Sequence, residues 1–265
     1  MLRLALFLLG LLAWPALAVE RVVSLAPSLS EIVVELDAVD LLVGVLDGGE
    51  RPASLRHLPS VGRYGQLEME SLIGLQPDLV LLWPDSISPA QRQQLQDFGI
   101  PLLIAEPRDL DNLAEQFAEI GARLGRPEQG HRLRQRFGER LAELRARYRR
   151  ERPLRVFYQI WDKPLYTIGG RQIISDALRL CGAENVFADL ALPAPQVSVE
   201  AVLQRDPEVI LAGSGAQLDI WRSWPDLAAV RRNQLYPVPD KGLERPSFQM
   251  LAATEKLCEQ LAKAQ

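Results

Sequence analysis

MESLIGLQPDLVLL, residues Met69–Leu82, is the stretch that decides the fold, because the chain carries nearly the same phrase again further on. The second copy is VEAVLQRDPEVILA, Val199–Ala212. Glu70 recurs as Glu200, an offset of 130 residues, and a proline follows seven residues after each glutamate. Each copy predicts a short helix, a turn at the proline and a buried strand. A phrase repeated at this distance predicts two similar lobes with a cleft between them, and clefts bind ligands.

Outside the two copies, short apolar runs alternate with amphipathic segments, which is typical of parallel sheets built from βα units. The predicted strands are Arg21–Ala26, Leu41–Val45, Leu79–Trp83, Pro101–Ala105, Val156–Ile160, Leu165–Ile168 and Leu235–Val238. The predicted helices are Glu31–Leu36, Met69–Leu75, Pro89–Phe98, Leu110–Leu124, Pro127–Arg150, Ile173–Leu180 and Phe248–Ala264. The expected fold class is α/β, with a central, mainly parallel sheet flanked by helices in each of two lobes.

The longest predicted helix, Pro127–Arg150, lies between the two copies of the phrase. Its apolar residues recur at intervals of three or four, which places them on one helical face. Because its 24 residues would extend ~36 Å, we interpret it as one long rigid helix that joins the lobes. A solvated surface helix of a single domain fits the pattern equally well. The predicted divisions are 1–18, an N-terminal lobe 19–109, a helical segment 110–152 and a C-terminal lobe 153–265.

The first 18 residues have the features of a secretory signal peptide. One basic residue, Arg3, precedes an apolar run from Leu4 to Leu17, and Ala16-Leu17-Ala18 matches an A-x-A cleavage site. A membrane anchor is the alternative, but the run is too short to cross ~30 Å comfortably. We therefore expect cleavage after Ala18 and a mature chain in an extracytoplasmic space.

The composition is that of an ordinary globular protein, with a net charge of −4 that gives no support for a nucleic-acid partner. Two cysteines, Cys181 and Cys258, lie 77 residues apart. Export makes a disulfide between them plausible, and closing such a loop is worth ~4 kcal/mol in the chain-entropy model. Two separate buried thiols are the other interpretation.

Nothing in the sequence identifies a catalytic residue or a metal site. The only histidines, His57 and His131, are not in a metal-ligand spacing. Ser214 is not in a G-x-S-x-G elbow, because alanines stand where that motif needs glycines. There is no glycine-rich phosphate loop of either standard kind. The chain is therefore predicted not to be an enzyme and to need no cofactor.

Aromatic residues lie where predicted strands end. Trp83 and Trp161 follow two of the strands, and Tyr64 sits beside Gly65 on a glycine-flanked loop. Ligands of open α/β sheets bind beyond the carboxyl ends of the strands, and flat aromatics there suit a large flat ligand. Each aromatic alone is explained as readily by packing in the core or at its rim. A charged loop expected in the same region contributes Asp240, Glu244 and Arg245, which an ordinary solvated turn would also explain.

Glu70 and Glu200 each lie in the first turn of a predicted helix, where the helix dipole favours a carboxylate by ~0.3–1 kcal/mol. That explanation needs no function. One exposed acid on each lobe, on the same side, would also suit docking on a two-fold partner that offers basic residues.

Five pieces of the sequence together resemble the periplasmic vitamin B12-binding proteins of ABC importers. These proteins belong to the helical-backbone class of substrate-binding proteins, which also carries haem and iron–siderophores. The resemblance covers nearly all of Arg21–Ala264. The pieces are RVVSLAPSLSE at 21–31, LEMESLIGLQPDLVLLW at 67–83, CGAENVFAD at 181–189, PQVSVEAVL at 195–203 and ERPS at 244–247.

The resemblance implies a monomeric bilobal protein with a corrinoid, its transported ligand, held in the cleft. Glu70 and Glu200 match acids that engage the membrane-spanning subunits of the importer, and Cys181 and Cys258 match a family disulfide. The expected ligand contacts are Ser28, Tyr64, Gly65, Trp83, Trp161, Asp240, Glu244 and Arg245.

Three departures alter the expected ligand shell. Ala194 stands where the family often has a tryptophan, Gly48-Gly49 replaces an aromatic, and Trp161 is displaced by one place. The expected ligand is therefore vitamin B12 or the related cobinamide. The alternatives are a haem or iron–siderophore carrier of the same class, an exported enzyme, or an adaptor that binds only protein.

Overall fold

The computed structural model describes residues 19–49, 51–84 and 86–264, so the predicted signal peptide lies outside the described residues. The strands are β1 Val22–Ser24, β2 Leu42–Asp47, β3 Ser60–Arg63, β4 Gln66–Leu67, β5 Leu79–Leu82, β6 Leu102–Ile104, β7 Leu154–Asp162, β8 Leu165–Thr167, β9 Ala183–Asn185, β10 Val209–Ala212 and β11 Leu235–Pro237. The helices are α1 Pro27–Glu35, α2 Met69–Gly74, α3 Pro89–Asp97, α4 Leu110–Arg123, α5 Pro127–Arg147, α6 Ile173–Leu180, α7 Val199–Arg205, α8 Gly215–Asp219, α9 Ala228–Arg231 and α10 Met250–Ala262.

The strands form two sheets, one in each lobe. The N-terminal sheet has the order β4-β3-β2-β1-β5-β6, and only its edge strand β4 runs antiparallel to its neighbour. The C-terminal sheet has the order β11-β10-β7-β8, with β9 also paired to β7. Only the β7–β8 pair in this sheet is antiparallel. The two-lobed, mainly parallel α/β fold expected from the repeated phrase is therefore confirmed.

The two copies of the phrase become equivalent units, α2 with β5 and α7 with β10. All four residues of β5 and of β10 are buried, as expected for parallel strands covered on both faces. In the second copy Ser198 caps α7 by accepting a hydrogen bond from the Ala201 N–H at 3.2 Å. In the first copy the residue before the helix, Glu68, makes no such cap.

Helices α4 and α5 form a hairpin that crosses between the lobes. The Leu110 N–H at the start of α4 donates to Asp176 of α6 at 2.9 Å. Arg126, which precedes α5, pairs with Asp40 of the N-terminal lobe at 3.1 Å. The helices pack closely because Gly121 faces Gly130, and a Cβ on either would lie within 3 Å of backbone atoms. One continuous apolar core includes residues of both sheets and both helices.

Some predicted boundaries are wrong. Helix α1 begins at Pro27 rather than Glu31, because proline is well suited to the first helical position. Helix α5 ends at Arg147, three residues before the predicted end at Arg150. Strand β7 continues through Trp161 to Asp162, because that end pairs with β8 instead of turning away.

Helix α6 ends next to Cys181, and Cys258 lies within α10. The two cysteines form a disulfide with a Cα–Cα distance of 4.6 Å. The predicted bridge is therefore present, and the alternative of two separate thiols is wrong. Within the described residues, no helix is long and apolar enough to cross a membrane.

Candidate ligand-binding cleft

The two lobes face each other across a cleft at the carboxyl ends of their parallel strands. A cavity of about 390 Å³ occupies it. Segments that follow β5 and β6 line it from the N-terminal lobe, and loops around residues 171–173, 193 and 243–246 line it from the C-terminal lobe. This is the position in which open α/β sheets bind ligands.

Tyr64 is the most exposed aromatic side chain of the cleft, with 71% of its surface accessible. It lies in the tight turn between β3 and β4, next to Gly65, whose φ of +76° is a conformation that side chains disfavour. Gly62 also has a positive φ, and a Cβ there would meet the Gln66 carbonyl oxygen at 2.3 Å. The glycines therefore hold a turn that presents the phenol to solvent.

Trp83 follows β5 and is half-buried, with one side packed against the apolar core. Its backbone N–H donates to the Ser86 hydroxyl at 3.0 Å, which fixes the segment after the strand. The indole N–H is buried and has no acceptor among the described residues. Tyr64 and Trp83 together give the N-terminal wall two flat aromatic surfaces.

The turn that carries Arg171 into the C-terminal wall is fixed by backbone packing. A Cβ on Gly169 would lie 2.0 Å from the Leu192 carbonyl oxygen, and one on Gly170 would lie 2.0 Å from that of Ala188. The Gly169 N–H donates to the Pro193 carbonyl at 3.1 Å, and the Gly170 N–H donates to that of Leu190 at 2.9 Å. The backbone at residues 188–193 therefore packs against the turn that follows β8.

The three residues of the charged loop that were expected to contact ligand have different partners in the structure. Asp240 accepts from the Gly242 N–H at 2.8 Å and pairs with Lys256 at 2.5 Å. The Lys256 ammonium, followed by the Gly242 N–H, holds the pKa of Asp240 below its usual value. Arg245 forms an ion pair with Glu31 of the N-terminal lobe. Glu244 is the one of the three that lines the cavity.

The carboxylate of Glu244 lies near the hydroxyl of Tyr158, a fully buried residue of β7. Burial first, and then the negative charge of Glu244, raise the pKa of this phenol, so it stays protonated. Its hydroxyl makes no hydrogen bond of good geometry within the described part of the chain.

Three other predicted contacts lie away from the cavity. Ser28 is buried in the first turn of α1, and its hydroxyl has no partner among the described residues. Gly65 shapes the turn beside Tyr64 and does not itself line the cavity. Trp161 is 57% exposed on the β7–β8 hairpin, and its indole N–H donates to the Lys163 carbonyl at 3.2 Å.

A buried polar cluster holds the charged loop against the N-terminal lobe. Glu31 of α1 accepts from the Ser247 hydroxyl at 2.8 Å and also from Gln249 and Arg245. One turn later Glu35 accepts from the Phe248 N–H at 3.0 Å. Burial, with a smaller contribution from the Glu31 charge, raises the pKa of Glu35 to about 7.

Sequence reasoning missed this cluster and much of the C-terminal wall. The signal for the cluster was a pair of acids four residues apart on an otherwise apolar helix, LSEIVVE. The signal for the wall was the Gly169-Gly170 pair directly before Arg171. The cavity residues absent from the predicted set are Pro84, Ser86, Glu106, Pro107, Arg108, Arg171, Gln172, Ile173, Pro193, Leu243 and Pro246.

Glu70 and Glu200 are both exposed in the first turns of α2 and α7. Each helix is followed, after a short turn at the proline, by a buried strand of its own sheet. The backbone N–H of Glu200 itself, and then the Ser198 hydroxyl, hold the pKa of Glu200 below its usual value. Among the described residues, no three acidic, histidine or cysteine side chains lie close enough to hold a metal ion.

Comparison with known proteins identifies the class of protein that has this fold. Residues 22–241 match the periplasmic binding protein family, and the chain belongs to that family. It is 34% identical to a vitamin B12-binding protein of Vibrio parahaemolyticus over 91% of this chain and 89% of the relative. It is also 34% identical to a protein of the same name from Yersinia pestis, over 97% of this chain and 92% of the relative.

Solved structures agree with this placement. The periplasmic vitamin B12 binding protein BtuF of Vibrio cholerae superposes with a TM-score of 0.84 at 32% identity, covering 93% of this chain and 98% of that one. The periplasmic haem-binding protein HutB of Vibrio cholerae superposes with a TM-score of 0.79 at 20% identity, covering 91% and 98%. The second likeness shows the fold alone.

Proposed function

We propose that this protein captures a corrinoid, vitamin B12 or cobinamide, in the cleft and delivers it to an ABC importer. The observation that carries the proposal is the pair of aromatic surfaces, Tyr64 and Trp83, facing polar loops of the other lobe across an open cavity. A broad planar ligand with polar substituents at its edge would stack on one wall and hydrogen-bond to the other. The similarity to proteins named for vitamin B12 binding supports this ligand class.

Titration with cyanocobalamin tests the proposal. The mature protein is mixed with the corrinoid at micromolar concentration and passed through gel filtration, and the visible absorbance of the protein peak is read. We expect about one corrinoid per protein. No absorbance in the protein peak for either cyanocobalamin or cobinamide would refute corrinoid binding.

The substitution Tyr64→Ala tests whether the aromatic wall contributes to corrinoid binding. Because the phenol is exposed, its removal should leave the unfolding temperature unchanged and weaken corrinoid binding about tenfold, the value of one good aromatic contact. Phe98→Ala is the matched control, since Phe98 is 58% exposed outside the cavity. Equal affinities of the two variants would remove Tyr64 from the site.

Delivery is proposed to use Glu70 and Glu200 as contacts for basic residues of the membrane-spanning subunits. The double variant Glu70→Ala with Glu200→Ala should bind the corrinoid normally but support less uptake in transporter vesicles. Glu119→Ala with Glu128→Ala removes two exposed acids elsewhere and is the control. Equal uptake by both double variants would reduce Glu70 and Glu200 to acids that stabilise helix ends.

Haem is the second candidate, and Tyr64 is the observation that favours it. An exposed phenol at a cleft is a known type of axial ligand for haem iron, whereas neither histidine lines the cavity. Competition between haem and cyanocobalamin for one site separates the two ligands. A haem complex whose spectrum is unchanged by Tyr64→Ala would remove the basis for this candidate.

The remaining features of the proposal concern the mature chain. The signal peptide is cleaved after Ala18, and the protein acts in the periplasm as a monomer without catalytic activity. Its lobes comprise 19–109 and 153–265, and the segment 110–152 contains the connector helix. The shared core and the cluster around Glu31 support a small closure on ligand binding. Mass spectrometry of the exported protein and small-angle scattering with and without ligand test these points.

A further inference from the structure

Among the residues that the structure describes, two charged side chains of the cavity have no oppositely charged partner within ion-pair distance. The guanidinium of Arg108 is paired with Glu106 at 3.0 Å, and Arg245 is held by Glu31 outside the cavity. Arg171, by contrast, is exposed and makes no hydrogen bond or ion pair within the part of the chain that the structure describes. Glu244 is the other such charge that lines the cavity.

Arg171 is also held in place for binding. The glycine turn before it is packed against the backbone at 188–192 and hydrogen-bonded on both residues, so the position of its Cα is fixed. The Ser175 hydroxyl adds a hydrogen bond to the Gly169 carbonyl at 2.8 Å. An arginine on a fixed backbone loses less freedom when it binds an oxyanion, and its planar fork suits two oxygens at once.

Gln172 adds a second donor beside the guanidinium. Its amide oxygen accepts from the Ile174 N–H, which fixes the side chain at the start of α6. The amide nitrogen makes no hydrogen bond to any residue described in the structure, and Gln172 lines the same cavity. The C-terminal wall thus offers adjacent cationic and neutral donors opposite the aromatic wall.

We propose that Arg171, with Gln172, determines specificity within the corrinoid class by binding the phosphodiester of the nucleotide loop. Vitamin B12 carries this phosphodiester and cobinamide lacks it, while both share the corrin ring that would stack on Tyr64 and Trp83. The inference rests on the proposed function and deepens it. Glu244, the remaining acid, is left to accept hydrogen bonds from the carboxamides that both ligands carry.

The test compares cyanocobalamin with cobinamide on the mature protein, on Arg171→Gln and on Arg171→Lys. Arg171→Gln should weaken cyanocobalamin binding about tenfold or more, as expected for a charge-assisted hydrogen bond, and leave cobinamide within about twofold. Arg171→Lys should retain part of the cyanocobalamin affinity, because it keeps the charge but loses the fork. Arg123→Gln, an exposed arginine outside the cavity, should change neither affinity.

Salt provides a second measure of the same contact. Raising the ionic strength from about 0.05 to 0.5 M should weaken cyanocobalamin binding to the unmodified protein more than binding to Arg171→Gln. An equal loss for both corrinoids in Arg171→Gln, or no loss for cyanocobalamin, would overturn the assignment. An Arg171→Gln effect that disappears when Glu244→Gln is also present would overturn it too, because Arg171 would then only neutralise Glu244.

These outcomes are distinct from failure of the proposed function. If the unmodified protein binds neither corrinoid, the proposed function fails before any variant is measured, and the assignment to Arg171 falls with it. If the unmodified protein binds both and Arg171→Gln does not discriminate between them, only the assignment to Arg171 is lost.

Discussion

Replacing Glu35 by glutamine should remove a pH dependence from the stability of this protein. Burial raises the pKa of Glu35 to about 7 from a reference value of 4.5, with the nearby charge of Glu31 as a smaller cause. A folded-state pKa above the unfolded value means that the native state binds the proton more tightly. The stabilisation is therefore complete below about pH 4.5 and is lost as the pH rises through about 7.

The size of the effect follows from the same two pKa values. A difference of this size corresponds to about 3 kcal/mol across the whole titration, of which about 2 kcal/mol is lost between pH 5.5 and 8. Glu35 accepts a hydrogen bond from the Phe248 N–H, and Glu31 is the nearby charge. Arg245 pairs with Glu31, and the Arg136 guanidinium lies 5.2 Å from the centre of the Phe248 ring. Glutamine can still accept the hydrogen bond from the Phe248 N–H.

Urea unfolding at pH 5.5 and at pH 8 measures the prediction, with the unmodified protein, Glu35→Gln and the exposed-acid control Glu119→Gln compared at each pH. The unmodified protein and the control should lose about 2 kcal/mol more than Glu35→Gln on going to pH 8. His57 and His131 are exposed and present in every variant, so their contribution cancels in the comparison. If the free energy of unfolding changed equally with pH in all three proteins, the raised pKa of Glu35 would be refuted.

Three further predictions follow from the fold and the cleft. Replacing both Cys181 and Cys258 by serine should lower the free energy of unfolding by about 4 kcal/mol, measured by urea unfolding, with reduction of the unmodified protein giving a similar loss. Gly169→Ala should destabilise the protein and weaken ligand binding together, because its Cβ would lie 2.0 Å from the Leu192 carbonyl oxygen; an unchanged melting temperature would contradict this. Ala194 is exposed next to the cavity residue Pro193. Ala194→Trp should raise corrinoid affinity several-fold, measured by titration, because it adds an aromatic surface beside the ligand.

The parts of the fold that the sequence predicted are those set by local pattern. The repeated phrase contains an acid, an apolar helical face, a proline and a buried run, and both copies fold as a helix followed by a strand. Proline is not accommodated in the interior of a helix, so α2 ends before Pro77 and α7 before Pro207. Four consecutive apolar residues bury most readily inside a parallel sheet. These constraints act within about fifteen residues, so one sequence is enough to read them.

The missed parts depend on contacts between distant residues. Glu31 and Ser247 are 216 positions apart, and nothing near either residue indicates that they meet. Arg245 was predicted to contact ligand, but the same loop brings it to Glu31. Arg171 is missed because its local sequence gives no sign of a fixed position. A lone arginine after two glycines looks like a solvated turn until the packing of those glycines against residues 188–192 is seen.

The two walls of the cleft offer different kinds of contact to a ligand. The N-terminal wall offers aromatic area, and its presentation is fixed by the glycine turn at Tyr64 and by the core beneath Trp83. The C-terminal wall offers the charged side chains of Arg171 and Glu244, and Glu31 holds the loop that carries Glu244 against the N-terminal lobe. An aromatic surface alone favours any large planar ligand, whereas charged side chains at fixed positions distinguish one such ligand from another. A change of ligand within this class should therefore require substitutions in the loops of the C-terminal lobe, with the aromatic wall kept.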